Sequence, residues 1–236
     1  MVETIALSVP AVDVLGEQLR LDVRQYPFEI PRHGRDAGER EQLARRVWSE
    51  LEAAGLAESG HPEPEVEDAL YLLSGSELSI AAAGLVDVHA GAPLAARVVA
   101  TGEVGVVGVL GPRGLLMSFT APDELPARCA ELLPEVPAGL GAPVRASARD
   151  TGAAMGAVAA VTERATLRIG HYVVTGSDRR GRRYQLPGLT WFDNDRGRYV
   201  LTSEQDAGGE VLVCAPADRG GIAQRIAGLL ERAGVD

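Results

Sequence analysis

The sequence predicts an α+β protein in which antiparallel strands form a sheet flanked by helices. Two β-rich segments, 77–120 and 167–214, are each divided by short glycine-containing turns, a spacing typical of antiparallel hairpins. Helical periodicity precedes the first segment, and a helix closes each of them. With 46% apolar residues in a chain of 236, the protein can bury a sizeable core.

Helices dominate the first third of the chain. A strand over 4–8 leads into a helix that begins near Ser8 and carries leucines and valines on one face. The stretch 26–31 is predicted to be extended, because proline disfavours helical backbone angles in the residue before it. Two amphipathic helices follow over 39–54 and 62–73, the second with acidic residues in its first turns, where the helix dipole favours them.

The remaining elements are predicted from runs of β-branched residues and from the glycine and proline residues that separate them. The predicted strands of the first segment are 78–82, 85–89, 95–100, 104–110 and 115–119, with Gly84 as the first turn. A helix over 122–133, a connector over 134–143 and an alanine-rich helix over 150–164 come next. The second segment has predicted strands 167–175, 182–186, 189–192, 199–202 and 211–214, and a final helix runs from about 216 to the stop at Gly234.

The two β-rich segments end alike. Ala121-Pro122-Asp123 opens the first closing helix, and Ala215-Pro216-Ala217-Asp218 opens the second. We therefore expect one domain over 1–236, built from related halves at about 1–134 and 143–236. Strands of two such halves can pair around a pseudo-two-fold axis, with helices covering the sheet faces.

Composition excludes several function classes. The net charge of −10 opposes general nucleic-acid binding, because a phosphate backbone is repelled before specific contacts form. No apolar run reaches the roughly 20 residues that a membrane span needs. No signal-peptide pattern opens the chain, so we expect a cytoplasmic protein without membrane insertion. Cys129 and Cys214 lack CxxC or metal-ligand spacing and are expected to be buried free thiols.

No sequence motif for catalysis or for a cofactor is present. There is no GxSxG, Walker loop or GxGxxG, and no two histidines have the i, i+4 spacing of a helical metal pair. Asp193 and Asp195 lie two residues apart, but the further ligands of a calcium loop are absent around them. We therefore expect no enzyme, metal or cofactor. One alternative remains, a small-molecule hydrolase that uses Asp193, Asp195 and His171.

One basic stretch interrupts the acidic background. Arg179, Arg180, Arg182 and Arg183 flank a glycine in a predicted hairpin loop, and Tyr184 follows. This stretch is either a docking patch for an acidic or phosphate-bearing partner, or a solvated loop that protects a sheet edge from aggregation. A structural role by self-association through the helix at 150–164 is a further alternative, which leaves the oligomeric state open between monomer and dimer.

Several segments, in this order, resemble the EspG family, the cytosolic chaperones of type VII (ESX) secretion systems in actinobacteria. They are IALSVPAVDVLGEQL with YPFEIP near the N-terminus, ELEAAGL at 50–56, DRRGRRYQLPGLTWFDNDRGRYVLTS in the second half, and the closing VCAPADRGGIAQRIAGLL. The resemblance covers nearly the whole chain. It implies a central, mainly antiparallel sheet with flanking helical bundles and quasi-two-fold related halves.

The resemblance also implies a function without catalysis or cofactor. EspG proteins bind PE–PPE heterodimers at the tip of the PPE helical bundle and keep them soluble until secretion. In the family, the helical bundle of the second half contributes to this contact. The helix at 150–164 is short and poor in large apolar residues here, so a related helical hairpin is an alternative cargo.

A cargo site needs exposed apolar groups inside a polar rim. We expect Leu189, Trp191 and Phe192 to form it together with Arg179, Arg180, Arg182, Arg183 and Tyr184. For Trp191, a core position beneath the closing helix is the alternative. Gly197, Arg198 and Tyr199 are assigned to structure, as a turn and an arginine paired with an acid.

Overall fold

Helices and antiparallel strands follow one another nearly as the sequence predicts. The structure, a computed structural model, describes residues 4–147, 152–177, 182–206 and 209–232. The chain divides into two compact units. Unit 1 is Met1–Ser79 with Ala95–Pro122, and unit 2 is Ile80–Leu94 with Asp123–Asp236.

Unit 1 combines three helices with a four-stranded antiparallel arrangement in the order β1-β7-β6-β5. Its elements are β1 (Ile5–Leu7), α1 (Val9–Leu19), α2 (Ala37–Ala53), β2 (Ala57–Glu58), β3 (His61–Pro62), α3 (Pro64–Gly75), most of β5 (Ala92–Thr101), β6 (Val104–Gly111) and β7 (Gly114–Thr120). Between α3 and β5 the chain forms β4 (Leu78–Asp87), most of which belongs to unit 2.

Unit 2 orders its strands β9-β11-β12-β13-β8, all antiparallel, with β10 beside the end of β9. Its further elements are α4 (Leu125–Glu131), β8 (Val144–Ser147), α5 (Ala153–Thr162), β9 (Arg168–Ser177), β10 (Arg183–Gln185), β11 (Leu189–Asn194), β12 (Gly197–Asp206), β13 (Gly209–Pro216) and α6 (Arg219–Arg232). The α+β class with antiparallel strands is confirmed.

The three helices of unit 1 cover one face of its strands. Register places Met117, Gly108 and Arg97 side by side on this face. A Cβ on Gly108 would lie 2.9 Å from a Leu73 methyl group of α3 and 3.4 Å from the Phe28 ring, so Leu73 would have to shift to admit a side chain there. Arg97 is buried, and its guanidinium donates a hydrogen bond to the Tyr26 carbonyl at 2.6 Å.

A buried carboxylate joins α1 to α2 and to the loop between them. Asp13 of α1 is 2% exposed and accepts hydrogen bonds from the Arg24 guanidinium at 2.7 Å, the His33 amide at 2.9 Å and the Arg40 guanidinium of α2. Burial acts to raise the pKa of Asp13, but these hydrogen bonds outweigh it and hold the pKa below its ordinary value.

In unit 2, helices lie on both faces of the sheet. Val158 of α5 packs against Phe192, Tyr199 and Cys214 on one face. On the other face the Tyr172 hydroxyl donates to the Cys129 carbonyl of α4 at 2.7 Å, and α4 packs against α6. Both cysteines are buried free thiols, as predicted, and burial raises the pKa of each.

Three local predictions were wrong or incomplete. Gly84 was expected to be a turn, but it lies inside the continuous strand β4. A Cβ there would come within 2.2 Å of the Ile169 carbonyl oxygen, so the glycine permits a close backbone approach. The short β2–β3 hairpin and β8 were not predicted, because two to four residues give no periodic signal.

The two parts of the chain share an order of elements. In the first part the short strand β1 precedes helix α1 and pairs with the last strand, β7. In the second part the short strand β8 precedes helix α5 and pairs with the last strand, β13. A closing helix comes after that last strand, α4 or α6. This order supports the proposal that 1–134 and 143–236 are related halves, although the unit boundaries differ because 80–94 clusters with unit 2.

Candidate partner-binding surface in unit 2

The basic hairpin lies at the end of β9. Arg183 on β10 pairs with Ser177, and Tyr184 pairs with Gly176. A Cβ on Gly176 would lie 2.4 Å from the Tyr184 hydroxyl oxygen, so the tyrosine covers this glycine and is only half-buried. Arg182 and Arg183 are exposed. Arg179 and Arg180 lie outside the described residues.

The prediction that Leu189, Trp191 and Phe192 form an exposed apolar surface is wrong. Leu189 and Trp191 are 0% exposed and Phe192 is 4% exposed. β11 lies between β9 and β12 and is covered on both faces, with Phe192 on the α5 side and Leu189 and Trp191 on the opposite side. These three side chains therefore stabilise unit 2 and are not accessible to a partner.

A buried ion pair fixes the β11–β12 hairpin. Arg198 is 0% exposed and donates to both carboxylate oxygens of Asp193, from Nε at 2.7 Å and from Nη2 at 2.9 Å. Nη2 also donates to the Pro134 carbonyl at 2.9 Å, and the guanidinium lies 5.5 Å from the Trp191 ring centroid. This bidentate pair fastens the connector that follows α4 to the sheet.

The neighbours of Arg198 have similar roles. Gly197 has φ of +116°, and a Cβ there would lie 2.7 Å from the Pro137 carbonyl oxygen. Tyr199 stacks on Phe192 with ring centroids 5.6 Å apart and donates its hydroxyl hydrogen to the Leu140 carbonyl at 2.9 Å. These contacts support the structural assignment of Gly197, Arg198 and Tyr199.

The hydrolase residues do not form a site. His171 pairs with Thr190 and Asp193 pairs with Arg168, and the odd offset between the two pairs puts His171 and Asp193 on opposite faces of the sheet. Asp195 is in an exposed ion pair with Arg164, and the hydrogen bonds from that guanidinium hold the pKa of Asp195 below its ordinary value. A shallow depression of about 440 Å³ adjoins this pair, and His171 does not line it.

Two other classes of site also lack support. No group of three or more His, Cys, Asp or Glu residues in the described ranges is arranged to hold a metal ion. None of the helices in the described part of the chain has the length and apolarity needed to cross a lipid bilayer.

One surface of unit 2 was missed in the sequence. β9 alternates strictly, with Gly170, Tyr172, Val174 and Gly176 buried and the residues between them partly exposed. Its outward residues are Ile169, His171, Val173 and Thr175, and Ile169 is 42% exposed. The alternation of RIGHYVVTGS predicts a strand with one uncovered face, so the signal was present in the sequence.

The family model described as the EspG family matches residues 8–228. This chain belongs to the EspG family. Its fold is similar to that of the type VII secretion system chaperone EspG5 of Mycobacterium tuberculosis, solved in complex with the PE25–PPE41 dimer. The TM-score is 0.67 with 12% sequence identity, and the match covers 94% of each chain. No curated protein matches the chain.

Proposed function

We propose that this protein is a chaperone of a type VII secretion system, which binds a PE–PPE pair, or a related helical hairpin, in the cytoplasm and keeps it soluble. It acts by binding, with no catalysed reaction and no cofactor. The observation that carries the proposal is the EspG family match over 8–228, together with a fold similar to that of a chaperone solved with PE25–PPE41.

The site residues support a binding role. Asp193 is held by Arg198 inside the sheet, and Asp195 is held by Arg164 at its edge, so neither carboxylate is positioned with His171 for acid–base work. The exposed Arg182 and Arg183 form a basic rim in a chain of net charge −10. We assign them, with Tyr184 and the neighbouring Arg179 and Arg180, to the periphery of the cargo contact.

Solubility of the cargo tests the chaperone role. A PE–PPE pair of the native host, expressed with and without the chain, is expected in the soluble fraction only when the chain is present. Cargo that is equally soluble in both cases would remove the basis for a chaperone function.

The basic rim is tested by the double variant Arg182→Ala/Arg183→Ala. We expect the Kd for the cargo to rise roughly three- to tenfold and the dependence of binding on salt to fall, because rim charges act mainly on association. The matched control is Arg45→Ala/Arg46→Ala on α2, which removes the same charge from another exposed arginine pair. Equal effects of the two double variants would show that net charge, and not the rim, is responsible.

A further inference from the structure

Two arginines meet on one buried carboxylate in unit 2. Register places Asp193 of β11 between Arg168 of β9 and Arg198 of β12, so the three side chains share one face of the sheet. Arg198 Nη2 lies 2.9 Å from Asp193 Oδ2, and Arg168 Nη1 lies 3.6 Å from the same oxygen atom. Asp193 and Arg198 are both 0% exposed. The cluster therefore carries two cationic groups around one carboxylate, an excess of one positive charge.

Three buried N–H groups of this cluster find no acceptor among the described residues. They are Arg198 Nη1, Arg168 Nε and Trp191 Nε1. The Arg198 guanidinium lies 5.5 Å from the Trp191 ring centroid, and the ring attracts the cation but offers it no lone pair. A Cβ on Gly170 would lie 3.0 Å from Cε2 of Trp191, the ring atom bonded to Nε1, and Gly170 is two residues from Arg168 on the same strand. The three groups thus lie on one small part of the sheet, where a buried donor without an acceptor is costly, above all a charged one.

From the excess charge and the three donors we propose that unit 2 binds one small monovalent anion, chloride, between the guanidinium groups of Arg168 and Arg198. All three groups are donors, so the ligand must be an acceptor, and a single negative charge balances the excess. A water molecule also accepts hydrogen bonds but leaves the charge unbalanced. Asp87 interacts electrostatically with Arg168, but Asp87 is exposed, and water screens its charge. Arg168 is 31% exposed, whereas Trp191 is 0% exposed, so the ion enters beside Arg168.

The anion strengthens the attachment of the connector that follows α4. Arg198 Nη2 donates to the Pro134 carbonyl at 2.9 Å, and the Arg198 amide donates to the Pro137 carbonyl at 2.9 Å. Because strand pairing assembles the site, chloride binds the folded chain and not the unfolded chain, and it stabilises the fold as its concentration rises. The site does not depend on the proposed function, since no cargo residue takes part in it.

Urea unfolding in two sodium salts tests the site in the full chain. Chloride replaces gluconate, a much larger anion, at a constant ionic strength of about 0.2 M, so the screening of surface charges stays equal. The unfolding midpoint of the wild type is expected to rise with chloride by roughly 0.3 M urea relative to that of Arg168→Gln, which removes one of the two cations. Arg196→Gln removes the same charge from the exposed β11–β12 turn and is the matched control, expected to respond to chloride as the wild type does.

Bromide locates the ion. It resembles chloride in charge and size, and it scatters anomalously at the bromine absorption edge. In crystals of the full chain soaked in sodium bromide, an anomalous peak is expected within about 3.5 Å of both Arg198 Nη1 and Arg168 Nε, a distance typical of a hydrogen bond to a large acceptor. The same soak of Arg168→Gln crystals is expected to give no peak at this position.

Three results would overturn the anion site. The first is a wild-type midpoint that responds to chloride no more than that of Arg168→Gln, even if bromide enters the crystal at high concentration. The second is an equal loss of the response in Arg168→Gln and Arg196→Gln, because surface charge would then explain it. The third is a water molecule alone between the two guanidinium groups, with bromide bound only elsewhere. None of these measurements uses cargo, so their failure leaves the chaperone proposal unchanged.

Discussion

Unit 1 places three helices on one face of its strands, whereas in the described residues of unit 2 only α5 lies on the corresponding face. The consequence is visible in β5 of unit 1 and β9 of unit 2. β5 of unit 1 is buried on both faces over 96–100, but β9 of unit 2 alternates between buried and partly exposed residues. The helices therefore close this face in unit 1, whereas part of the sheet of unit 2 stays partly exposed.

The largest expected effect on stability comes from a glutamate on the helix-covered face of unit 1, compared with a glutamate on the partly exposed face of unit 2. Val99→Glu should destabilise the fold by on the order of 5 kcal/mol or prevent folding, because the carboxylate is buried without a partner. Val173→Glu should change the free energy of unfolding by about 0.5 kcal/mol or less, since its side chain reaches water. Urea unfolding followed by circular dichroism measures both. Similar losses for the two variants would contradict the difference between the units.

A smaller but still large effect is expected at the ion pair that closes unit 2. Arg198→Ala should cost about 3 kcal/mol, because the buried Asp193 loses its bidentate partner and keeps only the more distant Arg168, 3.6 Å away. Arg196→Ala, two residues earlier in the exposed turn, is the control and should change stability by about 0.5 kcal/mol or less. The free energy of unfolding at neutral pH, measured for both variants, tests this expectation. A loss as small for Arg198→Ala as for Arg196→Ala would show that this pair does not hold the connector.

Unit 1 has its own buried carboxylate, Asp13, and the contribution of this residue to stability depends on pH. The pKa of Asp13 in the folded chain lies below its ordinary value of 3.8. Its ionised form therefore stabilises the fold above that pH, and this contribution is lost as the pH falls through the folded-state pKa. Asp13→Asn should lower stability at pH 7 by about 1–3 kcal/mol and flatten its decline below about pH 4.

Unfolding curves for the wild type and Asp13→Asn between pH 7 and pH 2 test this expectation. The difference in the free energy of unfolding should shrink as the pH falls. Two parallel curves would show that Asp13 does not titrate as a stabilising carboxylate.

Much of the fold could be predicted because its elements carry strong local signals. Periodicity and turn residues predicted a helix over 39–54 and strands over 104–110 and 199–202, and the structure places these elements at 37–53, 104–111 and 197–206. Gly84 was misread because a glycine that permits close strand packing has the same sequence signature as a turn, and only the neighbouring strand distinguishes the two.

The candidate site was less predictable, for reasons that particular residues illustrate. Trp191-Phe192 is a consecutive apolar pair, which indicates a strand buried on both faces and not an exposed apolar patch. The two-residue turn at Asp195-Arg196 already fixes the register that puts Asp193 opposite Arg198, so the ion pair was available from the sequence. The alternation in RIGHYVVTGS indicates the half-exposed face of β9, but it does not show where α5 ends relative to that face.

Affinity purification of the chain from its native host, with the bound proteins identified by mass spectrometry, tests the central claim most directly. The account predicts that a PE–PPE pair or a related secreted helical hairpin co-purifies in stoichiometric amount. Recovery of the chain without such a protein, under conditions in which the secretion system is expressed, would contradict the chaperone function.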